Sequence, residues 1–448
     1  MKNFIYLTII SLIALTSCDV LDVDPLHSIP ADEAINNKND VERAVNGCYD
    51  AFQSAGYYGR NYLVVGDLSA DALAWTGTTA GYNQIDNNSI LADNVIVEGM
   101  WSSIYNALNR INNVVEQLPS VDDMSDEEIN IVLAEMYFLR ALCHYDLVKL
   151  FGPVPIRTAS VTADEDDLNI PRRSEEAVYD QIFSDLNFAE ENISSDIVRG
   201  KASKAAVLAL RARANLYYYF ISNQQSYLID AVNDASSVIS DFNLEIETDY
   251  AKLFDGSNNS ESIFEIDFSE QDRNRLAEYF FPTALSGRHE FAPTEDFFDS
   301  YDEDDLRRDI SINVEGSDLY SVKYNDIEQG TDNVYVFRLA EMYLIRAEAN
   351  AIMEIEEDLV QSDINEIRER ANLIPTTSTN FNTLIAEIEE QRLKEFAFEG
   401  HRWFDLVRTG RALEVLDNVT NINQTLFPIP LNELLTNSHE DMYQNDGY

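Results

Sequence analysis

Apolar residues recur three and four positions apart along most of the chain, and this spacing predicts a mainly helical protein. Trp101, Ile104, Tyr105, Leu108, Ile111, Val115 and Leu118 form one such face, which Pro119 ends. Ile129, Val132, Leu133, Met136, Leu139, Leu142 and Leu147 form a second, ended by Phe151-Gly152-Pro153. A third runs through Val178, Ile182, Leu186 and Ala189. Ser174 is placed to cap it, and Glu175 and Glu176 complement the dipole of its first turn. Ala205, Leu208, Ala212, Leu216 and Phe220 form a fourth. The pattern resumes at Leu339, Met342, Ile345 and Ala349, then continues over 359–371 and 384–398. Small residues at Ala205, Ala206, Ala209, Ala212 and Ala214 permit close helix approach. The expected architecture is a tetratricopeptide-like scaffold of helical pairs, although no clean repeat of about 34 residues stands out.

The interval from about Ser222 to Asp332 reads differently. Its helical periodicity is weak, and a short β-like run, Ser262-Ile263-Phe264-Glu265-Ile266-Asp267-Phe268, sits between polar turns. Irregular loops carrying short strands on a rigid scaffold are where binding usually resides.

Composition narrows the function. The 448 residues include 80 acidic and 31 basic side chains, for a formal net charge of −49. Such a surface repels phosphate, so nucleic acid is excluded as a partner. Cys18, Cys48 and Cys143 are too few for a disulfide framework. With five histidines and no HExxH or CxxC spacing, neither a zinc site nor any other cofactor is implied. Asp302-Glu303-Asp304-Asp305 and Asp164-Glu165-Asp166-Asp167 lack the EF-hand spacing and read as solvated acidic loops rather than Ca²⁺ sites.

The N-terminus reads as an address. Met1-Lys2-Asn3 is a short basic region, and Phe4 to Leu15 is an apolar stretch below the ~20 residues a spanning helix needs. Leu15-Thr16-Ser17-Cys18 resembles a bacterial lipobox, which implies a signal peptide over 1–17 and acylation of Cys18. No later stretch is apolar enough to span, so the mature chain is expected to be anchored by lipid.

An ordered set of blocks then carries a family resemblance. It begins with Trp101-Ser102-Ser103-Ile104-Tyr105-Asn106-Ala107-Leu108-Asn109-Arg110-Ile111-Asn112. Ala134-Glu135-Met136-Tyr137-Phe138-Leu139-Arg140-Ala141-Leu142 follows, leading to Leu150-Phe151-Gly152-Pro153-Val154-Pro155. Gly200-Lys201-Ala202-Ser203-Lys204, Arg338-Leu339-Ala340-Glu341-Met342-Tyr343 and Asn365-Glu366-Ile367-Arg368 come next in order. Phe398-Glu399-Gly400-His401-Arg402-Trp403-Phe404-Asp405, Phe427-Pro428-Ile429-Pro430 and Gln444-Asn445-Asp446-Gly447-Tyr448 close the set. In this the chain resembles the SusD/RagB family of outer-membrane nutrient-binding lipoproteins. The acidic Asp19, Asp22 and Asp24 after the cysteine resemble the surface-export signal of Bacteroidetes lipoproteins.

The resemblance implies one SusD-like domain over 18–448, with an N-terminal part over about 18–221 and a C-terminal part over about 222–448. It implies a non-enzymatic protein at the cell surface, held by lipid to the outer membrane. Such a protein captures oligo- or polysaccharide and delivers it to a SusC-like TonB-dependent transporter.

Within the blocks, Arg140, Arg338, Glu341, Arg346 and Glu348 are expected to pair within and between helices, and Trp101 and Trp403 to lie in the core. Glu399-Gly400 with Arg402 and Asp405 is expected to fix a helix junction. Trp75 is the one tryptophan outside them. It lies in Asp71-Ala72-Leu73-Ala74-Trp75-Thr76-Gly77-Thr78-Thr79-Ala80-Gly81-Tyr82-Asn83, which reads as a loop. Sugars stack C–H faces on aromatic rings and offer hydroxyls to fixed carboxylates, amides and guanidinium groups. Trp75, with Tyr82 and Asn83 beside it and Asp67 and Asp71 before it, is a candidate platform. Arg273, Arg275, Tyr279 and Arg288 form a second candidate group, against which stands a plain salt bridge between Arg288 and Glu290. A neutral glycan such as a β-glucan is favoured, and an alginate-like uronate comes second, because arginine pairs with carboxylate but the net charge opposes it. A surface glycosidase would need a carboxylate pair that 80 acidic residues supply by chance. A docking module, or a receptor for a non-carbohydrate nutrient such as peptide, is the other alternative.

Overall fold

A computed structural model of the chain describes residues 35–161 and 168–448. The leader, the Cys18 acylation site and the acidic run Asp164 to Asp167 lie outside the described residues. Helices dominate the rest. The first are α1 (Lys38–Phe52), α2 (Asn61–Leu68), α3 (Ala80–Asp86), α4 (Val95–Gln117), α5 (Asp126–Phe151) and α6 (Glu175–Asn192). Then come α7 (Lys204–Ser222), α8 (Gln225–Asp241), the short α9 (Leu276–Phe280), α10 (Leu339–Met353), α11 (Glu357–Arg370), α12 (Phe381–Glu395) and α13 (Arg402–Arg408). Successive helices pack on one another: α1 on α4, α4 on α5, α5 on α6, α7 on α8, α8 on α10, and α10 on both α11 and α12. This is the tetratricopeptide-like scaffold of helical pairs that the apolar spacing predicts.

Local chemistry sets the boundaries. Ser125 and Glu128 form a reciprocal capping box at the start of α5, and Ser174 accepts the Ala177 N–H at the start of α6. Gly152 ends α5 at φ 69°. The five alanines singled out in α7 are fully buried, as are Trp101 and Trp403. Cys48 and Cys143 are buried free thiols, and burial pushes Cys48 up to about 12. Tyr57 and Tyr58 donate to the buried Asp146 carboxylate at 2.6 and 2.9 Å, which ties the turn after α1 to α5.

Two segments depart from the expected pattern. Residues 225–241, inside the interval expected to be irregular, form the regular amphipathic helix α8, which buries Leu228, Ala231, Ala235 and Val238. The segment around Trp75 is not a plain loop: it forms strand β1 (Leu73–Trp75) and then α3. The remaining strands are β2 (Ser262–Ile266), β3 (Phe291–Pro293), β4 (Ile312–Glu315), β5 (Asp318–Ser321) and β6 (Val334–Arg338). Among the described residues they make three antiparallel pairs, β1–β3, β2–β6 and β4–β5.

The helices and strands meet at a buried array of charges. The Arg338 guanidinium donates to Glu399 at 2.9 and 3.0 Å, to Glu261 at 2.9 Å, to the Glu395 carboxylate and to the Glu395 carbonyl at 2.8 Å. Arg370 bridges Glu261 and Glu395. Arg307 reaches Asp305 at 2.7 Å and Glu395 at 3.3 Å, and Lys323 reaches Glu399 at 2.8 Å. Four cations thus face four carboxylates, with every side chain almost wholly buried. Asp305 therefore departs from the solvated acidic loop expected of its run, while Asp302, Glu303 and Asp304 stay exposed. Arg140 with Asp185, Arg213 with Glu341, Arg346 with Asp363 and Arg408 with Glu348 complete the expected pairings.

The junction before α13 also holds α2. A Cβ on Gly66 would lie 2.4 Å from the Gly400 carbonyl oxygen, so only glycine lets the two backbones touch. Beside this contact Asp67 is fully buried. One carboxyl oxygen accepts the Gly400 N–H at 2.8 Å, and the other has no partner among the described residues. Burial pushes this carboxyl up to about 8.

Two outcomes are expected. Glu395→Gln leaves three buried cations undercompensated and should cost about 3–5 kcal/mol in urea unfolding. Arg338 and Arg370 hold the Glu395 carboxyl below its ordinary range, so its contribution is complete above the unfolded value, about 4.3. The difference between wild type and variant should therefore shrink as pH falls below that value; a constant difference contradicts the assignment. Asp67 has the opposite sign: its folded value is raised, so the wild type loses stability as pH rises from about 4 toward 8. Asp67→Asn should gain on the wild type over that window, measured as denaturation midpoints at several pH values, and parallel pH profiles would refute it.

Candidate functional site

The two candidate segments are strand partners. β1 and β3 pair in the register Leu73↔Pro293, Ala74↔Ala292 and Trp75↔Phe291. Beyond the strands, the Thr76 N–H donates to the Glu290 carbonyl at 3.0 Å. The Thr76 hydroxyl donates to the His289 carbonyl, 213 residues away in sequence. This pairing assembles an aromatic cluster. The half-buried Trp75 indole lies 4.7 Å from the Tyr82 ring and 5.0 Å from Phe291, centroid to centroid. Tyr82 meets Phe291 edge-on at 5.0 Å, and Tyr279 stacks on Phe291 at 5.8 Å. Gly77 turns over the indole: a Cβ there would lie 2.4 Å from Cζ2, so the turn closes only with glycine.

Two guanidinium groups flank the cluster. Arg60 lies 4.3 Å from the Tyr279 centroid and Arg288 4.5 Å from it. Arg60 precedes α2 and donates through Nε to Asn61 Oδ1 at 3.1 Å, while Tyr82 donates its hydroxyl to the same oxygen at 2.6 Å. Among the described residues Arg60 has no carboxylate partner, unlike Arg288 at the same Tyr279 ring. Sequence reasoning missed it. The signal available was the run Tyr57-Tyr58-Gly59-Arg60-Asn61, aromatic and glycine-containing ahead of a polar pair.

The other candidates take different positions. Asn83 is exposed on α3 beside the cluster. Tyr82 is buried beneath Trp75, and burial pushes its hydroxyl up to about 12. Tyr279 is buried, with both guanidinium groups and Phe291 against its ring, so it orients the arginines rather than offering a bare face. Arg288 pairs with Glu290, as the salt-bridge alternative has it. Arg275 forms a two-bond pair with Glu278 on the surface, at 2.6 Å each. Arg273 is turned away, donating to the backbone carbonyls of Glu328 and Gln329. It borders a separate polar cleft of about 640 Å³ beside α1 and α4. Asp71 accepts two bonds from Arg402, at 2.8 and 2.7 Å, and so ties the base of β1 to α13. Asp67 lies behind the surface in its contact with Gly400 and does not face solvent.

An array of half-exposed indole, guanidinium and amide groups suits a ligand with apolar C–H faces and many hydroxyls. Comparison with known proteins agrees in kind. A family model described as "SusD family" matches residues 309–448, and one described as "Starch-binding associating with outer membrane" matches residues 19–216. SusD-like protein P2 of Formosa agariphila is 27% identical, with 100% of each chain covered. The starch-binding protein SusD of Bacteroides thetaiotaomicron is 26% identical over 74% of this chain and 75% of its own. A solved structure, a laminarin-binding SusD-like protein, superposes with a TM-score of 0.81 at 24% identity, covering 92% of this chain and 100% of that one. From its ordered sequence blocks, its helical-pair scaffold and these matches, the chain is a SusD-like protein.

Proposed function

We propose that the protein is a lipid-anchored surface receptor that captures oligo- or polysaccharide and passes it to a partner TonB-dependent transporter of the outer membrane. The observation that carries this reading is the aromatic cluster that the β1–β3 pairing assembles, in which Phe291 joins Trp75 on one side to Tyr279 and its Arg60 on the other. Trp75 offers the stacking surface. Arg60 and Asn83 offer donors to hydroxyl or ring oxygens. Tyr82, Phe291 and Tyr279 hold the indole and the guanidinium groups in place. Pre-set groups of this kind lower the ordering cost of binding a flexible glycan.

The glycan is neutral in this reading, with a β-glucan first. Arg288 is already paired with Glu290, which leaves Arg60 as the one cation of the cluster without a carboxylate partner among the described residues. One such cation in a chain of net charge −49 is a poor match to a polyuronate. The starch-binding relative and the laminarin-binding structure support the same class of ligand. An anchor at Cys18 is in keeping with the described residues, none of whose helices is long and apolar enough to cross a membrane.

Affinity gel electrophoresis of the chain from Asp19 onward tests the site, with laminarin, starch and alginate as the immobilised glycans. At least one neutral glycan should retard the wild type. Trp75→Ala and Arg60→Ala should each weaken that retardation about tenfold, the loss of a stacking or charge-assisted contact. Arg275→Ala should leave it unchanged. Retardation that survives both substitutions would move the site elsewhere, and retardation by alginate alone would reverse the charge argument.

A further inference from the structure

The helical scaffold carries a groove built from elements other than those of the Trp75 face. It spans α6, α7 and α8 and has a volume of about 430 Å³. That lies within the range of small-ligand sites, about 300–1,000 Å³. Phe183 of α6 and Tyr227 of α8 line it with nearly parallel rings, 17° apart at a centroid distance of 6.0 Å. Tyr218 braces Tyr227 edge-on at 4.7 Å. Both lining rings are only half-buried, so each keeps surface toward the groove. Asn187, Asp230 and Asn233 stand exposed at the rim.

Asn215 of α7 distinguishes this groove from a surface wrinkle. It is 4% exposed and lines the groove, yet its amide makes no hydrogen bond with any described residue. Its amide atoms are not sealed from solvent but open into the groove, where they are available to a ligand hydroxyl. The groove's cation is not free to select charge. Arg211 is held by Asp234 at 2.8 and 2.7 Å and by Glu190 at 2.6 Å, and it donates to Asn187 Oδ1 at 3.1 Å. That last bond fixes the Asn187 amide with its NH₂ group available. The groove thus offers two ring surfaces, several amides and one free carboxylate, Asp230, with no unpaired cation.

We propose that this groove is a second saccharide-binding site, taking one or two units of a neutral sugar. The rings receive C–H faces, Asn215 bonds a hydroxyl from below, and Asn187 and Asp230 bond hydroxyls at the rim. An acidic sugar is excluded by Asp230 and by the saturation of Arg211. The assignment does not rest on the Trp75 face, because the two sites share no residue. A polymer that reached both would gain avidity from two weak contacts.

Saturation-transfer NMR tests this in a chain from Asp19 onward that carries Trp75→Ala and Arg60→Ala, so that the loop face is silent. The probes are laminaribiose, maltose, cellobiose and mannobiose at millimolar concentration. At least one should receive saturation, and Tyr227→Ala should weaken its binding about fivefold, the effect of one lost stacking contact. Asn215→Ala should weaken it as well. Should Tyr227→Ala melt early, the rim pair Asp230→Ala with Asn233→Ala carries the test, since both residues are exposed. Absence of transfer to every disaccharide overturns the proposal, as does transfer that none of these substitutions reduces. A failure of the loop face leaves this result unaffected, because that face is disabled throughout.

Discussion

The buried array around Arg338 is the interaction on which the rest of the structure depends. A guanidinium group in the interior must be paired with carboxylates, because desolvation alone costs several kcal/mol. Arg338 meets that condition by gathering Glu261 from one part of the chain and Glu395 and Glu399 from another. Arg370, Arg307 and Lys323 then balance those carboxylates. The demand for charge pairing fixes where β2, β6, α11 and α12 meet. An apolar contact would tolerate sliding; a set of directional bonds does not. We therefore regard specificity of arrangement, more than net stabilisation, as the contribution of these charges.

The same junction reaches the candidate site through short links. Glu399 is held by Arg338 and Lys323, the next residue accepts α2 through the Gly66–Gly400 contact, and Arg402 then grips Asp71. Asp71 lies two residues before β1, and β1 presents Trp75. Arg60 precedes α2, whose Gly66 touches the junction. Trp75 and Arg60 are thus both mounted on the charged core within a few residues, although they sit at the edges of irregular segments. A loop site built in this way does not need a long rigid element beneath it.

Much of the scaffold was legible in the sequence because helix burial leaves a periodic trace. The faces around Ile104, Leu139 and Leu208 lie in α4, α5 and α7, and the stops at Pro119 and Gly152 hold to within two residues. Helix α8 escaped because its polar positions (Gln225, Ser226, Asn233, Ser236 and Ser237) dilute the apolar spacing of Leu228, Ala231, Ala235 and Val238. The site was legible only in part. Trp75 and the Arg288 segment each stood out by composition, but their pairing joins residues over 200 positions apart, which no local pattern encodes. Arg60 was hidden because its role comes from the Tyr279 ring above it. Conversely, Asp67 and Asp71 looked like available acceptors, and only the fold shows that Gly400 and Arg402 already engage them.

Where the cations go also bears on ligand charge. Arg140, Arg213, Arg307, Arg338, Arg370, Arg392, Arg402, Lys323 and Lys394 are all buried, each against at least one carboxylate. Such pairs are close to neutral and contribute little field outside the protein. The net charge of −49 is therefore carried by a surface depleted in arginine and lysine. A polyanion approaching it meets repulsion that local contacts at one guanidinium do not offset, and salt weakens that repulsion only beyond about 10 Å. A neutral glycan feels none of it. Its binding then rests on ring faces and hydrogen bonds, which salt barely screens, so capture at an acidic surface stays effective across a wide range of ionic strength.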